Sequence, residues 1–82
     1  MEMIIVEVSV PSISTKFDFK IPAGNKVSDV VGEIVNALEV TQNNVKFEND
    51  VILCDMDNGK VLSPEKYIAE HGIKDGSHLM LI

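Results

Sequence analysis

The sequence contains no arginine, and its seven lysines are scattered among thirteen acidic residues, for a formal net charge of −6. Without a basic cluster to neutralise phosphates, nucleic acid and anionic lipid surfaces are poor partners. Cysteine is almost absent: Cys54 stands alone and cannot close an internal disulfide. The same scarcity excludes an iron–sulfur centre, which would need four such ligands. Apolar runs extend for only a few residues, where about 20 are needed to cross a bilayer. No N-terminal stretch has the basic region and apolar core of a signal peptide. A reducing cytoplasm is the expected setting, with no direct insertion into membrane.

With 82 residues, 45 % of them hydrophobic, the chain is sized for a single domain spanning 1–82 that buries roughly 60–65 % of its unfolded surface. A deep substrate cleft would compete with that core for the same apolar side chains, which disfavours catalysis. The candidate reactive groups agree. Cys54 lies between Leu53 and Asp55, with no neighbouring cation or histidine to activate its thiol. His71 and His78 lack the companions and spacing of metal ligands, His71 reading as helix-terminal and His78 as an exposed strand residue. The stretch Asp55–Gly59 resembles the start of a calcium loop, but the glutamate needed at the twelfth loop position is replaced by Lys66. No catalytic residue, cofactor or metal site is expected.

What the sequence has is alternation. Ile4, Val6, Val8 and Val10 fall on one side of a first strand, with Met3, Ile5, Glu7 and Ser9 on the other. After a Pro/Ser-rich connection, Phe17, Phe19 and Ile21 alternate with Asp18 and Lys20, which predicts a hairpin. The period then lengthens: Val27, Val30, Val31, Ile34 and Leu38 form the stripe of an amphipathic helix, with Asn25 as its expected N-cap. Gly32 on the polar side reads equally well as a close-packing position or a tolerated one. Residues 41–50 read mainly as loop. Residues 51–56 predict a strand, Asn58-Gly59 a type I′ turn, and Val61 and Leu62 a partner strand. Ser63 and Pro64 are read as N-cap and N1 of a short helix that Gly72 closes and that Tyr67 or Ile68 pins to the core. In a last strand, Leu79 and Leu81 point inward and His78, Met80 and Ile82 outward.

The order ββαββ, short helix, β is that of an α+β fold, a β-grasp with one main helix packed across a mixed sheet. The run "KVLSPEKYIAEHGIKDGSHLMLI" resembles the C-terminal third of ubiquitin-like proteins, with their leucine, short helical turn, I-x-D-G turn and L-x-L strand. With "FDFKIP" and "KVSDVVGEIVNAL", the chain resembles most the YukD/EsaB family of small ubiquitin-like proteins associated with type VII secretion in Gram-positive bacteria. That resemblance implies a parallel pairing of first and last strands, and a non-enzymatic role through protein contacts, with membrane-associated secretion components as partners. A domain excised from a larger membrane protein is an alternative, and the start at Met1, almost in the first strand, favours a complete small protein. A sulfur carrier or conjugated modifier is a more distant one. Those proteins need a flexible Gly-Gly tail to enter an activating enzyme, whereas Ile82 here belongs to the strand, so conjugation is not expected.

The candidate binding surface is the outer face of the sheet. If the first and last strands pair, Met3, Ile5, Met80 and Ile82 are expected side by side as an exposed apolar strip framed by Glu7, Lys20 and His78.

Overall fold

A computed structural model describes residues 2–42, 46–47 and 50–82. The elements are β1 (Met3–Val10), a 3-10 turn (Pro11–Ile13), β2 (Thr15–Pro22), α1 (Val27–Thr41), β3 (Leu53–Asp55), β4 (Lys60–Val61), a second 3-10 turn (Ile68–His71) and β5 (His78–Leu81). Among the described residues, five strands form one sheet in the order β2-β1-β5-β3-β4. β5 lies parallel to β1, as expected, and antiparallel to β3, so the last strand is central.

The core follows from the two periodicities. Ile4, Val6, Val8 and Val10 of β1, Ile21 of β2, Leu53 of β3 and Leu79 and Leu81 of β5 are all buried. They meet the helical stripe of Val27, Val30, Ile34 and Leu38, with Leu62, Ile68 and Ile73 closing the open end. Each such side chain stabilises the fold by about 1.5–3 kcal/mol on leaving water. Phe17 and Phe19 sit on the inner face at the sheet's edge and are only half-buried, their ring centroids 6.1 Å apart. Gly32 is exposed, and a Cβ added there would meet nothing within 4 Å, so the position is tolerated rather than close-packed.

Several local expectations are corrected. Asn25 does not cap α1: the cap position is Lys26, and no side chain supplies the bond. The first free amides of the helix find tertiary acceptors instead. Val27 N–H donates to the Lys66 carbonyl at 2.8 Å and Ser28 N–H to the Pro64 carbonyl at 3.1 Å, while the Asn25 carbonyl accepts from Ile68 N–H at 2.9 Å. This explains a second correction, since residues 64–66 stay non-helical and the short helix runs only from Ile68 to His71. The Pro64 and Lys66 carbonyls are turned toward α1 and so are withheld from a helix of their own. Ile68 is fully buried and Tyr67 exposed, which settles the pinning residue, and Gly72 closes the turn in the left-handed region at φ 73°.

The second hairpin also differs. β3 and β4 are shorter than expected, and the connection from Met56 to Asn58 contains no residue with positive φ before Gly59, so it is not a type I′ turn. The buried Asp55 side chain builds it: Oδ1 accepts from Asp57 N–H at 3.0 Å, and Oδ2 from the Asn58 side-chain amide at 2.8 Å. The helix continues to Thr41, the first residue of the segment read as loop. Of the rest of that segment, residues 43–45 and 48–49 lie outside the described residues.

Candidate protein-binding face

Pairing register decides which outward side chains become neighbours. β1 meets β2 with Ile5 opposite Lys20 and Glu7 opposite Asp18. β5 joins β1 only from Glu7 onward, with Glu7 beside His78 and Ser9 beside Met80. Across the other side of β5, Met80 faces Cys54 of β3, which in turn faces Val61 of β4. Ile82 exchanges both backbone bonds with Ile52, at 2.7 and 2.9 Å, extending that ladder by one pair.

All six sequence-selected residues, Met3, Ile5, Lys20, His78, Met80 and Ile82, lie on the face away from α1, but they do not form one strip. Met80 is half-buried and the other five are exposed. Met3 and Ile5 sit at the start of β1, with Pro22 and Lys20 beside them. Met80 and Ile82 lie toward the opposite end, and the row of Asp18, Glu7 and His78 crosses between the two groups. The expected contiguity of Met3 and Ile5 with Met80 and Ile82 is therefore corrected. Where β5 would flank Ile5 there is a turn: Ile5 N–H donates to Asp75 Oδ1 at 2.7 Å, and the Ile5 carbonyl accepts from Gly76 N–H at 2.8 Å.

The dividing row is polar by construction. His78 Nδ1 lies 3.0 Å from Asp57 Oδ1, and His78 Nε2 lies 3.6 Å from Glu7 Oε2. Asp57 Oδ2 also accepts the His78 backbone N–H at 2.9 Å. That backbone bond, followed by the imidazole, holds the Asp57 carboxyl below the ordinary carboxylate range. The two imidazole nitrogens face different carboxylates, so these groups do not converge on a common ligand point. Among the described residues no group of three His, Cys, Asp or Glu side chains could hold a metal ion.

The larger apolar cluster includes residues that sequence reasoning missed. Ile52, Val61 and Ile82 are 44 %, 65 % and 57 % exposed, and with Met80 and Cys54 they cover the β5-β3-β4 end of the outer face. Ile52 and Val61 also line a groove of about 570 Å³ against the start of α1, together with Val27, Val31 and Pro64. The signal for Ile52 is its period-2 parity with Cys54 in the strand read over residues 51–56, and Val61 joins them only through the register that sets it opposite Cys54. Among the described residues no helix is long and apolar enough to cross a membrane.

Solved structures share this fold. The ubiquitin-like domain of EccD5 from Mycobacterium xenopi is 17 % identical, with a TM-score of 0.81 over 100 % of this chain and 94 % of that one. A ubiquitin-like domain of an Arabidopsis thaliana protein is 22 % identical, with a TM-score of 0.73 over 100 % of this chain and 78 % of that one. A chain of a toluene 4-monooxygenase complex, 10 % identical, reaches a TM-score of 0.80 over 98 % of this chain and 96 % of that one, so the fold alone does not specify a role. A comparison with curated proteins finds no match. The family model described as WXG100 protein secretion system (Wss), protein YukD, matches residues 5–81, and with the β-grasp sheet it covers, this chain belongs to the YukD family of ubiquitin-like proteins.

Proposed function

We propose that this protein is a non-enzymatic, cytoplasmic adaptor of a type VII (WXG100/ESX-like) secretion system, acting by protein contacts with membrane-associated components of the machinery. The observation that carries the reading is the apolar cluster of exposed Ile52, Val61 and Ile82 around half-buried Met80 on the sheet face of a YukD-family chain. Apolar patches of this kind serve protein recognition, and a methionine at the centre adapts to a partner's contour. Met3 and Ile5, with Lys20, form a second and smaller apolar site beyond the His78 row. The cluster at Met80 is the primary surface.

The adaptor acts without conjugation. What supports this is that Leu81 and Ile82 are paired in the sheet with Leu53 and Ile52, so these two residues are not a free tail that an activating enzyme could grip. Intact-mass analysis from the native cell checks it, an isopeptide or thiocarboxylate at Ile82 being the contrary result. The likeness to a ubiquitin-like domain of EccD5 favours one second reading, in which the same surface operates as a domain of a larger secretion protein.

The binding surface is tested by capture of secretion components from native lysate with purified variants. Val61→Glu is expected to melt within about 0.5 kcal/mol of the parent, the usual range for surface changes. It is also expected to lose capture, since a charge would be buried against an apolar partner. Capture equal to the parent's by a folded Val61→Glu variant would remove this cluster from the mechanism.

A further inference from the structure

The two edges of the sheet differ. β4 ends one side with the two residues Lys60–Val61, whereas β2 ends the other with eight residues, Thr15–Pro22, which among the described residues are paired on one side only. Ala23 N–H donates to the Glu2 carbonyl at 3.0 Å, which fixes the alternation along the β1–β2 ladder. The odd-numbered residues Phe17, Phe19 and Ile21 therefore turn their backbone groups toward β1, and Lys16, Asp18 and Lys20 present theirs to the open edge. The bonds from Glu7 N–H to Ser77 and from Gly76 N–H to Ile5 agree with this, since they direct the odd residues of β1 toward β5.

We propose that this edge pairs antiparallel with β2 of a second copy, with Asp18 of each copy opposite Lys20 of the other. An antiparallel ladder joining the even-numbered residues admits three central registers. Pairing Asp18 with Asp18 sets Lys16 against Lys20 and repels throughout. Pairing Lys16 with Asp18 leaves Lys20 opposite Ser14, outside the strand. Pairing Asp18 with Lys20 makes two opposite-charge contacts, uses nearly the whole strand, and loses only the donors that Pro22 lacks.

The same register brings Phe19 of one copy opposite Phe19 of the other, and Phe17 opposite Ile21, on the inner face. The half-burial of Phe17 and Phe19 at the edge is thereby completed by the second molecule. A two-fold axis perpendicular to the sheet keeps both helices on one side and both outer faces on the other. The match lies in the alternation of Lys16, Asp18 and Lys20, a self-complementary charge pattern within a chain of net charge −6.

Sedimentation equilibrium of the full chain and of two exposed-site variants tests this. The parent is expected to dimerise with rising concentration. Asp18→Lys and Lys20→Asp each place like charges at both contacts and are expected to weaken self-association about tenfold or more. An equimolar mixture of the two variants restores both Asp–Lys contacts and is expected to dimerise as the parent does. A parent that stays monomeric at millimolar concentration, variants that dimerise unchanged, or a mixture no tighter than its components overturns the proposal. Amide exchange on the unaltered chain gives an independent check. The Lys16, Asp18 and Lys20 amides are expected to gain protection with concentration, and concentration-independent exchange at all three overturns the pairing.

Discussion

Leu79 and Met80 are adjacent in β5, yet the first is fully buried between β1 and β3 while the second faces outward beside Cys54. Leu79→Ala is expected to cost about 2–5 kcal/mol by lost transfer energy and a residual cavity, measured by thermal or denaturant unfolding. The opposite sign is expected at Gly32. Nothing opposes a Cβ there, so Gly32→Ala is expected to stabilise the domain by about 1 kcal/mol through backbone entropy in α1. At Asp57 the effect depends on pH. Its carboxyl is held below the ordinary value of 3.8 by the His78 N–H and then its ring. A depressed folded-state value stabilises the fold above the unfolded value, and that contribution is lost as pH falls through the folded one. Asp57→Asn is therefore expected to melt below the parent at pH about 7, with the difference closing once the pH is well under the carboxylate range. A gap that persists in acid would assign the effect to packing instead.

At the scale of elements, the segment around Ile68 and the start of α1 hold each other. The carbonyls of Pro64 and Lys66 receive the first amides of α1, and Ile68, fully buried, keeps the segment in place. Ile68→Ala is expected to cost about 2–5 kcal/mol. It is also expected to raise amide exchange at Val27 and Ser28 more than at Ile34, because the helix loses its cap before its core stripe. Uniform acceleration along α1 would refute that coupling. Period and punctuation made β1, β2, α1, β5 and the Gly72 stop legible beforehand. The cap of α1 was not, because its acceptors lie far along the chain and belong to backbone rather than to a recognisable capping side chain. The turn after β3 was misread for a related reason: Asn58-Gly59 has the composition of a type I′ turn, but the Asp55 carboxylate holds the preceding amides in another geometry.

For the whole molecule, the alternating strands and the helical stripe determined from sequence which face of β1, β2, α1 and β5 enters the core, and the order of the elements identified the β-grasp. All six outer-face residues were placed on the correct side by the same logic. Only the tertiary structure decided which of them touch. A period-2 pattern specifies parity, but sliding a strand by two residues leaves every side chain on its original face. The sequence therefore could not distinguish Met80 beside Ile5 from Met80 beside Ser9. Pairing of β5 with both β1 and β3 set that slide, put Glu7 and His78 between Ile5 and Met80, and brought Ile52 and Val61 into the cluster. Faces are local properties of a chain in water. Neighbours across a sheet depend on where distant strands come to rest, and that is settled by closing the core around Val6, Val8, Leu53, Leu79 and Leu81 together.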